Sequence, residues 1–280
     1  MSAVLTPIVA ASENPAPAGS SLARRLWDWS WPKLLALGLV IAVWQIVVWT
    51  GWRPKYVLPG PLDTFRELGD LVTTGRFWHG VATTMLRAVI GFSLALVIGT
   101  LIGVLVSRVK VLRLAVGSLI TGLQTMPSIS WFPLAILLFG LTEQAILFVV
   151  VLGAAPSIAN GVISGIDQVP PSFRKLGAVL GARGWSLYRY IVLPAALPGY
   201  VSGLTQGWAF AWRSLMAGEL LVIIASRPSL GGTLDFARQF NRSAELLAIM
   251  LVILIIGMVV DGVFSSAARR IRTRRGLTAA

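Results

Sequence analysis

The ionisable side chains Arg87, Arg213 and Glu219 fall inside long apolar runs. A charge in such a run is costly unless it faces protein or water, so each is a candidate for function or for a buried pair. Arg213 and Glu219 are six residues apart, about 120° around a helix, and make poor partners for each other. Glu219 paired with Arg87 across two helices would tie a bundle together. Arg213, beside Trp208 and Trp212, would instead face a conduit and favour anions. The stretch Gln124-Thr125-Met126-Pro127 puts polar groups and a proline into another apolar run. Gln124 and Met126 are therefore pathway candidates together with Trp212, Arg213 and Glu219, although a core kink reads equally well from that proline.

Other chemistry is excluded. A phosphate-cradling loop needs Gly-Lys followed by Ser or Thr. Lys33, Lys55, Lys110 and Lys175 are followed by Leu, Tyr, Val and Leu. With one His, His-Glu-x-x-His is ruled out, and with no Cys so are disulfides and thiolate metal sites. No Gly-x-Ser-x-Gly elbow and no acidic pair at helical spacing within an apolar run is present, so an enzyme is not expected. No cofactor is expected on this chain.

The elements that must carry these residues are membrane helices. Hydrophobic residues make up 56% of the chain and charged residues 12%, against about 25% charged in soluble domains; mean hydropathy is +0.78. Six runs are long enough to cross a bilayer as helices: about 34–50, 81–106, 114–140, 145–166, 197–224 and 246–267. The third is interrupted by Pro127 and Pro133 and the fourth by Pro156. Gly99 with Gly103, Gly161 with Gly165, and Gly199, Gly203, Gly207 and Ala211 form small-residue faces that let helices approach closely. Such a face serves plain packing or a moving or dimeric contact.

The net charge of +13 sits in clusters flanking the runs, which fits membrane topology and not nucleic-acid binding. Fifteen Lys and Arg lie on the side of Arg24, Arg108, Arg174 and Arg269, and seven on the side of Arg53, Arg66 and Arg238. That asymmetry predicts cytoplasmic termini and a cytoplasmic 174–198 segment. Residues 1–22, rich in Ala, Pro and Ser, read as a disordered cytoplasmic tail and not a signal peptide. Residues 23–268 read as one membrane domain, and 269–280 as a basic cytoplasmic tail. Asp63, Glu67 and Asp70 belong to a short amphipathic helix on the outer side.

The segment 170–194 is too structured for a mere connector. Pro170 and Pro171 favour a helix start at Ser172. Leu176 and Leu180 then share a face, and Gly181 stops the helix in a left-handed cap. Ser186 predicts the cap of a second short helix over 187–192. A short exposed helix with apolar stripe and basic flanks suits a partner's groove, or equally a lipid surface.

Gly181, Ile191 and Leu193-Pro194 have the spacing of the Glu-Ala-Ala-x3-Gly-x9-Ile-x-Leu-Pro motif. On these residues the chain resembles ABC importer permeases of the nitrate, aliphatic sulfonate and taurine family. The likeness covers most of residues 55–265, including Met126–Gly140 and Ala211–Leu220. It departs at the motif's head, where Lys175-Leu176-Gly177 stands for Glu-Ala-Ala. The resemblance implies an all-α, six-span type I importer permease in the cell membrane. It implies that Lys175, Leu176, Leu180, Gly181 and Ala182 contact an ATPase subunit holding ATP and Mg. It also implies a second permease copy, two ATP-binding subunits and an extracytoplasmic substrate-binding protein. An aliphatic sulfonate is the first expected solute, with nitrate or taurine next. An ATP-independent channel or carrier is the competing class, and would need no docking segment.

Overall fold

A computed structural model describes residues 22–274. The expected tail over 1–22 lies outside the described residues except for Leu22, which opens α1; of the expected basic tail over 269–280, residues 269–274 continue the last helix and 275–280 lie outside the described residues. The chain divides into two units, Met1–Lys55 and Tyr56–Ala280. In the first, α1 (Leu22–Trp49) carries exposed Leu34, Leu37, Val40 and Ile46. Apolar side chains displayed all round call for an apolar solvent.

Among its described residues the second unit has helices joined by short turns and no strand. It contains α2 (Pro61–Val72), α3 (Gly75–Arg108), α4 (Lys110–Thr125) and α5 (Phe132–Phe139), then α6 (Glu143–Asp167) and α7 (Pro171–Val179). It continues through α8 (Trp185–Leu187), α9 (Leu193–Leu221), α10 (Leu230–Gln239) and α11 (Ser243–Arg274). α6 is the axle of this unit, buried along its length at Ile146, Val150, Ala154, Ile158 and Val162. It lies parallel to α3, with Gly91 against Val150 and Gly103 against Ala159. It is antiparallel to α9, where Gly161 faces Gly203 and Gly165 faces Gly199. A Cβ on Gly203 would stand 2.5 Å from the Gly161 Cα, so these backbones touch because neither carries a side chain. The small-residue face of α9 is thus taken by α6 of the same chain, which is plain packing.

Four helices are long and apolar enough to cross alone: α1 from Trp31, α3, α6 and α11 to Ile271. The third expected span is α4 and α5 joined at a 103° bend through a 3-10 turn, Ser128–Trp131. Met126 is extended there and Pro127 starts the turn; Pro133 begins α5 and bends nothing. Both arms follow α6 downward in order. Ile120 packs with Ala159, Gln124 bonds Ser157, Ser128 reaches Gly153, and Phe132 shares a core with Ile146. This succession marks a broken span and not a hairpin. Pro156 does not interrupt α6.

α9 has 29 residues, a length of about 43 Å. It is less apolar than the four because α6, α3 and α11 cover much of it, and a covered helix need not be lipid-like. The expected outer amphipathic helix is α2, opened by Pro61 with Asp63 in its first turn. The expected 225–245 loop contains α10, capped by Ser229 Oγ accepting from Gly232 N at 3.2 Å.

Candidate functional site

At one end of the bundle three helices meet in a charged knot. Arg87 of α3 donates from Nε and Nη2 to the Glu143 carboxylate, each at 2.7 Å. Its Nη1 donates to Glu219 of α9 at 2.8 Å. Glu219 is fully buried; Thr84 Oγ1 donates to it at 2.9 Å and Gly231 N at 3.0 Å. Thr84 Oγ1 in turn accepts from Leu230 N at 3.0 Å. Arg227 approaches Glu143 at 3.6 Å from the surface, so two cations meet two carboxylates. Glu143 stands in the first turn of α6, where the helix dipole favours an anion. Glu219 stands near the C-terminus of α9, where the dipole opposes it and Arg87 offsets the opposition. The knot fastens α3, α6, α9 and the start of α10. The cross-helix pairing of Arg87 with Glu219 is the one the sequence points to. Glu143 and Thr84 are members the sequence did not reveal.

Arg213 has a different setting. It is exposed, with its guanidinium 5.4 Å from the Phe210 ring. Among the described residues it has no carboxylate partner. Trp208 and Trp212 stack on each other at 6.1 Å, and Trp208 also packs on Phe92 and Phe264, while Trp212 abuts Gly257 of α11. These tryptophans belong to the core beside the arginine and do not surround it. Depth is fixed by Gly153 of α6, which lies against both Ser214 and Ser128. The break in the α4–α5 span, with exposed Met126, is therefore level with Arg213. Ser214 Oγ is the buried side-chain polar atom left unpaired among the described residues, and it lies at this same level.

Seven residues from Arg213 on the same face of α9 is Gln206, followed by Ser202. With Asn160 and Ser164 of α6, and Gln168 that caps it, they line an open cleft of about 440 Å³ that contains no charged residue. Gln124 borders it, donating to Ser157 Oγ at 2.7 Å and accepting from Asn160. Asp261 of α11 is a further ionisable residue within a span, exposed on that helix and outside the cleft lining. Its run is so apolar that one carboxylate does not register in hydropathy.

The opposite end of the bundle carries α7. Phe173, Leu176, Val179 and Leu180 are exposed, and so is Lys175. Gly177 is buried; a Cβ there would strike the Ile191 and Leu187 side chains. That contact explains a small residue at position 177: α7 rests there on the turn leading into α9. Gly181 has φ +79°. Ala182 N donates to Gly177 O at 2.8 Å and Gly181 N to Ala178 O at 3.1 Å, the paired bonds of a Schellman stop. The expected cap at Ser186 does not form. Gly184, at φ +55°, precedes α8, and the Ser186 hydroxyl turns back to Arg183 O at 2.8 Å. From Trp185 the chain runs through a π turn, Tyr188–Val192, directly into α9, with Pro194 harmless in its first turn.

A protein family described as "Binding-protein-dependent transport system inner membrane component" matches residues 78–273. The chain is 28% identical to a putative aliphatic sulfonates transport permease protein of Bacillus subtilis, over 83% of this chain and 84% of that one. It is 25% identical to a nitrate import permease protein of Synechocystis, over 81% and 84% of the two chains. It is 29% identical to a bicarbonate transport system permease protein of Synechococcus elongatus, over 80% and 83%. Among solved structures, a chain of the MetNI methionine ABC transporter aligns with TM-score 0.59 at 20% identity, over 70% of this chain and 96% of that one. At that identity the likeness concerns the fold alone.

Proposed function

The chain belongs to the family of binding-protein-dependent transport inner-membrane components, the permeases of ABC importers, and from that premise we propose that it conducts a small oxyanion into the cell. Relatives named for sulfonates, nitrate and bicarbonate support that solute class. Aliphatic sulfonates come first, then nitrate and taurine. The observation that carries the anion is Arg213, exposed at the depth of the broken span without a carboxylate partner among the described residues. In this reading the end bearing α7 is cytoplasmic, as the excess of Lys and Arg there requires, and the knot lies outward.

ATP and Mg are handled by two separate ATPase subunits. Lys175, Leu176, Leu180, Gly181 and Ala182 meet one of them, and α7 passes its displacement to α9 through Gly177, Leu187 and Ile191. A second copy of the chain closes the face that bears Arg213, Gln124 and Met126. An external binding protein delivers the solute. Lys175 in place of the motif carboxylate moves that contact onto the apolar Leu176 and Leu180.

The test is reconstitution in proteoliposomes with the ATPase subunit and binding protein. ATP-dependent uptake of a labelled alkanesulfonate or of nitrate is expected. Uptake that persists with the ATPase omitted would make the protein a channel or carrier.

A further inference from the structure

The cleft between α6 and α9 lies inward of Arg213 and is assigned no role by the family match. We infer that it is a charge-free station that holds the oxyanion between Arg213 and the cytoplasm; this rests on the importer reading above. Its geometry is specific. Asn160 and Ser164 are four residues apart on one face of α6, and Gln168 follows at its C-cap. The Gly161–Gly203 and Gly165–Gly199 contacts bring Ser202 and Gln206 of α9 to the depth of Asn160 and Ser164. Three amides and two hydroxyls thus converge on a cleft of about 440 Å³. Polar groups left uncovered at this depth are unfavourable against hydrocarbon, so they face water or a solute.

The chemistry selects the occupant. Amide N–H and hydroxyl groups donate to the oxygens of a sulfonate, nitrate or bicarbonate. No carboxylate lines the cleft to repel an anion or to hold a cation. No arginine lines it either, so the ion is bound but not trapped, which conduction requires. Asn160 is held by donating to Gln124, whose own amide donates to Ser157 at 2.7 Å. That chain of bonds fixes the upper wall. Gln206 is seven residues from Arg213 on one helix face, about 10 Å along the axis, a single step for a small ion.

The experiment uses the reconstituted complex and labelled methanesulfonate, hexanesulfonate and nitrate. Gln206→Glu places a carboxylate in the cleft and should lower uptake of all three at least tenfold per assembled complex, assembly being read by co-purification of the ATPase subunit. Ser164→Leu narrows the cleft and should lower hexanesulfonate uptake at least fivefold more than nitrate uptake. Uptake like the wild type in both variants, or an equal loss for every solute that tracks loss of assembly, would overturn the station while leaving the importer reading intact. A wild-type complex with no ATP-dependent uptake of any of the three would overturn the importer reading, and the station with it.

Discussion

Arg87 and Arg213 are both guanidinium groups inside membrane helices, and the protein treats them in opposite ways. Arg87 is 4% exposed, and its three nitrogens are bonded to two carboxylates. Arg213 is exposed, with an aromatic ring for company. Neither identity nor helical position separates them; their surroundings do. A cation neutralised on every side is structural, because it has no valence left for a solute. A cation held at mid-depth on an open face, beside neutral amides, retains its field. The knot and the open face are two regions with two settings: one fixes α3, α6 and α9, and the other, in the proposed function, lines the solute's route.

The sharpest way to break this contrast is Arg87→Ala. It leaves Glu219 buried without its cation, at a cost of about 3–5 kcal/mol. Thermal unfolding in detergent should show the loss, and replacing Arg87 and Glu219 together by Leu should recover part of it. A variant as stable as the wild type would dissolve the structural role. Next comes Gly203→Leu, which forces α6 and α9 apart and should destabilise by about 1–3 kcal/mol, seen in the same melt. Thr84→Val removes the hydroxyl that bridges Glu219 and Leu230 N. The freed N–H should weaken the hold on residues 222–232 by about 1–3 kcal/mol locally. Hydrogen exchange should accelerate there and not in α7. The smallest effect is Gly181→Ala, where a left-handed φ costs a side chain about 1 kcal/mol. Stability should barely change, while ATPase stimulation by loaded binding protein falls. Unchanged stimulation would detach Gly181 from coupling.

Much of this arrangement is legible in the residues themselves. Glu219 lies about 120° around α9 from Arg213, which left Arg87 as its cross-helix partner, and Glu219 does pair with Arg87. Glycines four apart must meet a backbone, and Gly199 and Gly203 meet α6. Gly181 stops α7 because a left-handed residue was needed after an apolar stripe. What escaped was non-local. Glu143 is 56 residues from Arg87. Glu143 sits between two runs and looks like any loop charge, and no local pattern marks Thr84 as a bridge. The break at Met126–Ser128 was legible in Pro127, but its 103° angle was not, because a proline marks a bend without setting its size. The π turn before α9 escaped because Pro194 looks like a helix start, and it is one only in the sense of lying in a first turn. The amide cleft escaped because Asn160, Ser164, Gln168, Ser202 and Gln206 come from two runs whose pairing is visible only once the glycines are in contact.

The most direct test of the contrast is Arg213→Gln beside Arg213→Lys in proteoliposomes with the ATPase subunit and binding protein. The account predicts that both variants assemble, that Gln lowers ATP-driven uptake of methanesulfonate about tenfold or more, equivalent to about 1.4 kcal/mol, and that Lys restores most of it. Loss of assembly in the Gln variant, with uptake per assembled complex unchanged, would place Arg213 with Arg87 and contradict it.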